Sequence, residues 1–269
     1  MLQFISLGSG TSGNSYLLMA ESDNLMIDAG IDMPLLEQHF ENLPINLADI
    51  KRVLITHEHV DHANSAGEIA SKYGVPIYAT VAVHEGIETN QRIKEKVPAD
   101  KQIPIKKEET LQFGDLKITP IAVPHDCPSH DNVGYKIEHN GLTLSIITDC
   151  GCITERIGEI ISESNYLIIE SNHDSEMLQN GDYPESWKQK IASGLGHLSN
   201  TQCAEALINY ATPELRHVWL CHLSEENNHP ELARKTIEGE LRQYGIIAGK
   251  DFQLDVLKRK LPSEIFDLQ

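Results

Sequence analysis

The residues best suited to chemistry lie in one seven-residue segment, Thr56-His57-Glu58-His59-Val60-Asp61-His62, called the histidine turn below. An apolar run at 53–55 precedes it and a helix-like run at 63–73 follows, which predicts a turn between a strand and a helix. Its three imidazoles and the carboxylate of Asp61 are ligands that zinc, iron and manganese prefer. The segment therefore predicts a metal site and leaves the metal open. A solvated polar loop is the alternative interpretation.

Candidate ligands for a larger site stand at the ends of apolar, strand-like runs elsewhere in the chain. They are His125, Asp149 and His222. Polar residues that follow strands meet at one edge of a sheet, and a site for two metal ions needs about six or seven ligands. His130 competes with His125, and we favour His125 because the strand end fixes its backbone. Thiolate coordination by Cys150 or Cys221 is a rival, although small buried cysteines are common.

Length and composition are those of a globular enzyme. The chain has 269 residues, of which 40% are hydrophobic and 23% charged. This length fits one domain, residues 1–269, or two fused halves, and we expect the single domain. The first residues carry no basic segment, and no apolar run approaches the ~18 residues that span a bilayer, so we expect no membrane association and a cytoplasmic protein. The five cysteines are odd in number and lack Cys-x-x-Cys spacing, which argues against a disulfide framework.

The net charge of -18 bears directly on possible partners. Nucleic-acid binding normally requires a basic surface, because contacts between phosphates and Lys or Arg supply most of the non-specific affinity. Any such surface on this chain must be local. Bound divalent ions would offset part of the negative charge at the place where a phosphate must lie.

The order of apolar patterns predicts an α/β protein with helices outside two facing sheets. Strand-like runs at 2–7 and 16–19 flank a Gly/Ser-rich loop, which we interpret as a tight turn and not a phosphate loop because no helix pattern follows it. Further strands are predicted between 110 and 147, with a hairpin signal at Asn140-Gly141. Ser199 and Gln202 have the spacing of a capping box, which predicts a helix over 200–210. Two strand-rich blocks, each followed by helices, suggest two similar halves.

The histidine turn resembles the signature of the metallo-β-lactamase superfamily, whose members are mostly binuclear metallohydrolases. The resemblance implies a four-layer αββα sandwich and two divalent metal ions, which could be manganese, zinc or iron. It assigns His57, His59 and His125 to one ion, Asp61, His62 and His222 to the other, and Asp149 to both. Asp61 is also given a catalytic role, and Asp28 matches a first motif whose residue orients the ligands. A water between two such ions becomes a hydroxide nucleophile near neutral pH.

A closer resemblance, over nearly the whole chain, is to the WalJ (also called YycJ) group of that superfamily. It is carried by the segments 9–14, 56–59, 123–126, 170–174, 196–200 and 222–228. The group's properties imply a DNA exonuclease of 5′ to 3′ polarity, associated with mismatch repair and using a manganese-type ion. The loop 126–132 departs from the group's usual pattern. The alternative function is hydrolysis of a small phosphodiester, lactone or thioester on the same site.

The segment that begins at His197 resembles the histidine motif of tRNase Z, whose imidazole protonates the leaving group. His197 is therefore the candidate general acid, with a capped core histidine as the alternative. Ser199 and Asn200 stand at a predicted helix N-terminus, where a phosphate oxygen can bind. Asn172 and His173 are predicted to make similar contacts to the substrate.

Overall fold

The computed structural model describes residues 1–21 and 23–269, which cluster into two compact units. The first unit consists of Met1–Pro120, Cys127–Val133 and Lys258–Gln269, and the second of Ile121–Asp126 and Gly134–Leu257. The single domain expected for residues 1–269 stays a prediction, and each unit is described by itself. No helix in the described ranges has the length and apolar character needed to cross a membrane.

Strands and short to medium helices alternate along the chain. The strands are β1 (Leu2–Gly8), β2 (Ser15–Ala20), β3 (Asn24–Ile27), β4 (Arg52–Leu54), β5 (Ile77–Thr80), β6 (Gln102–Ile105), β7 (Leu111–Phe113), β8 (Leu116–Ala122), β9 (Val133–His139), β10 (Leu142–Ile147), β11 (Tyr166–Glu170), β12 (His217–Cys221), β13 (Gln253–Val256) and β14 (Phe266–Leu268). The α-helices are α1 (Met33–Phe40), α2 (Val60–Ala63), α3 (Ala66–Tyr73), α4 (Val81–Thr89), α5 (Glu155–Glu163), α6 (Ser175–Asn180), α7 (Glu185–Ile191), α8 (Asn200–Tyr210) and α9 (Pro230–Gln243).

The first sheet has the order β14-β1-β2-β3-β4-β5-β6. Strands β14, β1, β2 and β3 pair antiparallel, and β3 to β6 pair parallel. Its central strands are apolar along most of their length because both faces are covered. Leu36 of α1, Ile69 of α3 and Ile87 of α4 join the strand side chains in one buried core. The sheet thus gives the histidine turn, which runs from the end of β4 into α2, a rigid support.

The second sheet has the order β13-β12-β11-β10-β9-β8-β7. As in the first sheet, the strands that come earlier in the chain pair antiparallel and the later ones pair parallel. Strands β9 and β10 are antiparallel, whereas β10, β11, β12 and β13 are parallel. A second core contains Ile157 of α5, Leu207 of α8 and Ile237 of α9. The repeated strand pattern fits the two similar halves suggested by the sequence. Because parallel strands end at the same edge, the residues after β10, β11 and β12 are brought together.

Several local predictions are confirmed and others are wrong. The capping box is formed at Ser199 and α8 spans the predicted residues, and Asn140 and Gly141 both have positive φ, as a type I′ hairpin requires. The sequence pattern over 81–96 is that of one mostly polar helix, but α4 ends at Thr89, and the Lys96 ammonium donates to the backbone oxygens of Ile87 and Asn90 near that end. The sequence patterns did not reveal β6, α6 or β14, which are short and partly polar.

Candidate active site

The histidine turn packs its imidazoles against one another within the first unit. Nε2 of His57 lies 2.9 Å from Nδ1 of His59, and the ring centroids of His57 and His62 are 4.2 Å apart. The side chain of Asp61 is 24% exposed and reaches within 3.6 Å of Nε2 of His62. Two imidazole nitrogens at such a distance repel each other unless a proton or a cation is shared between them. The turn therefore brings the four candidate ligands of this unit together.

Asp28 orients the last of these imidazoles. It follows β3 with φ of 62°, is fully buried, and lies 2.7 Å from Nδ1 of His62. Its carboxylate also accepts hydrogen bonds from the backbone N–H and the hydroxyl of Thr56, at 2.8 and 3.0 Å. Burial raises the pKa of Asp28, although the contacts with His62 and Thr56 oppose this. When Nδ1 of His62 donates to Asp28, Nε2 is left with its lone pair for a metal ion.

The Gly/Ser-rich loop supports the same turn through its backbone. Asn14 donates from its backbone N–H to the carbonyl oxygen of Asp61 at 2.7 Å, and its side-chain amide lies 3.0 Å from Nε2 of His62. A Cβ atom at Gly30 would lie only 1.7 Å from the Asp61 oxygen. The loop leads into β2 and not into a helix. It therefore acts as a tight turn, as expected, and glycine at position 30 permits the close approach of two backbone segments.

Glu58 of the histidine turn points away from the imidazoles and fixes a neighbouring loop of the first unit. Its carboxylate is buried and accepts hydrogen bonds from the backbone N–H and the hydroxyl of Ser129, at 2.5 and 2.7 Å. Gly86 leaves room for it, since a Cβ there would lie 2.6 Å from Cγ of Glu58. The loop that departs from the expected sequence pattern is thus tied directly to the histidine turn.

In the second unit, the strand ends carry Asp149, Glu170 and His222. Ile147 of β10 is level with Ile169 of β11, and Glu170 of β11 is level with Cys221 of β12. Asp149 and His222 have φ of 51° and 53°, the left-handed region that few side chains enter. These turns bring His222 Nδ1 to 3.7 Å from Asp149 Oδ1.

Glu170 is the centre of this part of the site, and the sequence analysis gave it no separate role. Its Oε1 lies 2.8 Å from Nδ1 of His197 and 2.9 Å from Nδ1 of His222. Its Oε2 accepts hydrogen bonds from the backbone N–H groups of Cys150 and Leu198, at 2.9 and 3.1 Å. The side chain is fully buried and has no freedom to turn away. Because Glu170 holds Nδ1 of both His197 and His222, the Nε2 atom of each ring is left for another partner.

The charges of this cluster are mutually dependent. Burial alone would raise the pKa of Glu170, but His197 and His222 lower it below its usual range. Burial alone would lower the pKa of His197, but the Glu170 carboxylate raises it above its usual range. Glu170 is therefore ionised and His197 favours its protonated form. Ligand atoms of Asp149, Glu170, His197 and His222 lie within 4.8 Å of one another. Because Glu170 and a protonated His197 are paired with each other, Asp149 and His222 are the two whose donors suit a divalent ion.

His125 joins the same cluster. Its Nε2 lies 3.7 Å from Asp149 Oδ1, its Nδ1 lies 3.1 Å from the carbonyl oxygen of Gly196, and it is 7% exposed. Burial lowers its pKa, which favours the neutral imidazole that binds metals. His130 is exposed, has φ of 53° and belongs to the first unit. This geometry supports the choice of His125, which remains a proposal. At Cys150, burial raises the pKa of the thiol well above its usual range and opposes a thiolate ligand.

Two of the residues expected to bind substrate are used by the protein itself. The Asn172 amide donates to the carbonyl oxygen of His222 at 2.9 Å. The Asn200 side chain accepts from Ser171 at 2.6 Å and from Asn228 at 2.8 Å, and it is 1% exposed. Both asparagines therefore hold the loops around His222, and their assignment to substrate binding is not supported by their positions.

Ser199 and His173, the other two residues expected to bind substrate, have different surroundings. The hydroxyl of Ser199 accepts from the backbone N–H of Gln202 at 3.2 Å, so it serves as the cap of α8. His173 forms a backbone bridge with Ser199, is 2% exposed, and its Nδ1 has no hydrogen-bond partner among the described residues. His173 thus keeps one buried ring nitrogen that no described residue contacts by a hydrogen bond.

Comparisons with known proteins show which family and which solved structures this chain is similar to. Residues 23–222 match the profile of a family described as a beta-lactamase superfamily domain. An exodeoxyribonuclease named YycJ from Bacillus anthracis is 33% identical over 264 residues, 98% of each chain. One named WalJ from Streptococcus pneumoniae serotype 2 is 34% identical over 248 residues, 92% of this chain and 91% of that one. The metallo-beta-lactamase fold protein YhfI from Bacillus subtilis superposes with a TM-score of 0.71 at 17% identity, covering 98% of this chain and 100% of that chain. The α/β fold expected from the sequence is thereby confirmed.

Proposed function

Since the chain belongs to the metallo-β-lactamase superfamily and to its group of exodeoxyribonucleases named YycJ and WalJ, we propose that this hydrolase cleaves phosphodiester bonds at the ends of DNA. The observation that carries the proposal is the partly buried contact of 2.8 Å between Glu170 and Nδ1 of His197. A carboxylate that holds a protonated imidazole beside a group of metal-type ligands provides a proton for a departing sugar oxygen.

The fold and the His/Asp clusters indicate divalent metal ions, and we propose two per chain. We retain the ligand set inferred from the resemblance, with Asp28 as the residue that orients His62. The proposed ligands are His57, His59, Asp61, His62, His125, Asp149 and His222. When bound, such ions activate a water and stabilise negative charge on the phosphate. Manganese, zinc and iron all accept these donors, so the metal is left open.

The protein's own residues have distinct tasks in the proposed reaction. Asp28 and Glu170 fix the tautomers of His62, His197 and His222 by accepting from Nδ1. His197 holds a proton on Nε2 for the leaving group, and its partial exposure, 20% of the side chain, allows contact with the substrate. Asp61, also partly exposed, has a further catalytic role in the proposal, next to Nε2 of His62.

The decisive assay compares end-labelled single- and double-stranded DNA with bis(4-nitrophenyl) phosphate, each with manganese, with zinc and with a chelator. We expect mononucleotides to be released from DNA ends with metal and none to be released with chelator. Labels at the 5′ and 3′ ends report polarity, which we propose to be 5′ to 3′. A role in mismatch repair and a cytoplasmic location are part of the same proposal, and the described residues form no disulfide, which is consistent with that location.

A small-molecule phosphodiesterase or a lactone or thioester hydrolase is the second candidate. It is favoured by the net charge of -18, which opposes the approach of a polyanion. Rapid turnover of a small phosphodiester, lactone or thioester with DNA left intact would establish it instead. We weigh the exonuclease-named relatives more heavily, because their similarity covers almost the whole chain.

A further inference from the structure

An exposed tryptophan stands on helix α7 in the second unit. The side chain of Trp187 is 59% exposed, whereas the chain's other tryptophan, Trp219, is fully buried. Trp187 packs edge-on against Tyr183, with ring centroids 5.9 Å apart and an interplanar angle of 74°. Large aromatic side chains contribute more than most residues when buried, so one left in solvent on a firm support is suited to bind a partner.

The support for Trp187 comes from the loops that carry the candidate catalytic residues. The backbone N–H of His197 donates to the carbonyl oxygen of Ile191, the last residue of α7, at 2.8 Å. A Cβ at Gly196 would lie 2.1 Å from that same oxygen, so the chain passes the helix end as closely as glycine allows. The helix that carries Trp187 is therefore joined directly to the residue proposed as the general acid.

Two side-chain contacts fix the same helix to the neighbouring site loops. The Lys190 ammonium lies 2.8 Å from the carboxylate of Asp126, the residue after His125. The Tyr183 hydroxyl hydrogen-bonds to Glu226, in the loop that follows His222, and burial together with this contact raises the pKa of Tyr183. Trp187 is thus connected to the His125, His197 and His222 loops, all within the second unit. A base stacked on this indole would lie at a fixed position relative to these three imidazoles.

A groove separates α6 from α7, the helix that carries Trp187. It has a volume of about 290 Å³, and His173 and Lys188 lie on its wall with Ser175 and Gln179. The Lys188 ammonium donates to the carbonyl oxygen of Gln179 at 2.7 Å, and no carboxylate of the described residues forms an ion pair with it. Glu185 also lines the groove and accepts from Gln189. Lys188 is consequently a positive charge available to an anion in a chain that is otherwise strongly acidic.

We infer that Trp187 is a stacking platform for a base of a single-stranded DNA end, with Lys188 contacting an adjoining phosphate. This inference rests on the proposed nuclease function and adds a substrate preference to it. Stacking on an aromatic ring needs no net positive charge, so it suits a chain of charge -18. Bases inside a duplex already stack on one another and offer no free face, which makes single strands or frayed ends the form that fits.

Tryptophan fluorescence tests the contact directly. A short oligothymidylate, added with chelator to prevent digestion, should quench the exposed Trp187 and leave the buried Trp219 unaffected. Trp187→Phe should therefore lose the quenching, because only Trp219 remains. Tyr244 is 67% exposed on another part of the second unit, so Tyr244→Phe serves as the control and should be quenched like the parent protein. Absence of quenching in the parent protein contradicts the stacking platform.

Kinetics separate the stacking platform from the catalytic proposal. Trp187→Ala should raise KM for single-stranded DNA by roughly 5- to 150-fold, the range that one base–aromatic stack supplies, with a smaller change in kcat. Trp187→Phe should recover most of the loss, and the loss should be larger for single-stranded DNA than for bis(4-nitrophenyl) phosphate. If Trp187→Ala digests single strands like the parent protein, the inference is wrong while the nuclease stands. If the parent protein leaves every DNA intact, the proposed function is wrong, and the quenching result alone decides the stacking.

Discussion

Glu170 and His197 form a partly buried contact of 2.8 Å between Oε1 and Nδ1 that connects the end of strand β11 to the loop before helix α8. The same carboxylate is held by two backbone N–H groups, so the imidazole is aligned by a group that is itself fixed. Such an arrangement defines which ring nitrogen carries the mobile proton, because the other one is committed to Glu170.

Removal of the His197 imidazole should slow DNA cleavage without removing the metal. We expect His197→Ala to reduce kcat on DNA by roughly 10²- to 10⁴-fold, the usual contribution of a positioned general acid. The loss should be much smaller for an aryl phosphodiester, whose nitrophenolate departs without a proton. Steady-state kinetics on both substrates and metal analysis of the variant provide the measurement. Equal losses on both substrates, or loss of metal, would assign His197 a structural or ligand role.

Replacement of the Glu170 carboxylate should shift the pH dependence of kcat on DNA. The Glu170 carboxylate raises the pKa of His197 against the effect of burial, and DNA cleavage requires the protonated imidazole, so activity falls as pH rises through that pKa. In Glu170→Gln the pKa of His197 is lower, and the alkaline limb of the kcat profile on DNA should shift towards lower pH. Profiles for an aryl phosphodiester should lack this shift. An unchanged alkaline limb on DNA would separate Glu170 from the proton on His197.

Asp149 should control the number of ions that the protein retains. A carboxylate bound to two ions supports both, so Asp149→Ala should lose at least one of the two proposed ions per chain. Elemental analysis of purified protein by mass spectrometry provides the count. Asp100→Ala is a matched control, because Asp100 is an exposed carboxylate in a short helical turn. A parent protein with one ion, or a variant that keeps all of its metal, contradicts the binuclear assignment.

Metal removal should be reversible. Dialysis against a chelator should abolish nucleotide release from DNA ends, and added manganese or zinc should restore it, because imidazole and carboxylate ligands accept either ion. The ion that restores the highest rate identifies the preferred metal. Chelator-resistant digestion would show that the metal is not required for the reaction.

Two glycine substitutions should have opposite effects on stability. Gly30→Ala places a methyl group on the backbone of Asp61, and we expect a loss of about 1–3 kcal/mol in the free energy of unfolding, together with reduced metal content. Gly239→Ala meets no atom within 4 Å in the middle of α9 and should stabilise the protein by about 0.5–1 kcal/mol. Urea unfolding of both variants measures the difference. A neutral Gly30→Ala would show that the turn can relax.

Sequence patterns predicted those parts of the site that are local. The histidine turn holds its candidate ligands within seven consecutive residues, so their spacing is enough to propose them as ligands. Ser199 and Gln202 form the capping box of α8 within four residues, and their spacing predicted where this helix begins. Glu170 was not assigned in the same way, because its partners His197 and His222 are 27 and 52 residues distant and only the tertiary fold brings them to its carboxylate. The asparagines Asn172 and Asn200 looked suited to phosphate binding, yet tertiary contacts occupy their side chains.

The backbone conformation at the strand ends also limits which amino acids could replace the proposed ligands Asp149 and His222 and the orienting residue Asp28. Asp28, Asp149 and His222 all have φ between 51° and 62°, and each follows a strand of a sheet. Asp, Asn and His enter this region several times more readily than other side chains, and β-branched or bulky residues are true outliers there. Glutamate or cysteine could satisfy a metal ion equally well, but they lack this tolerance. At the proposed ligands Asp149 and His222, a substitution must therefore suit both the metal ion and the turn, whereas at Asp28 it must suit the turn and the contact with His62. Few amino acids should meet both requirements at any of the three positions.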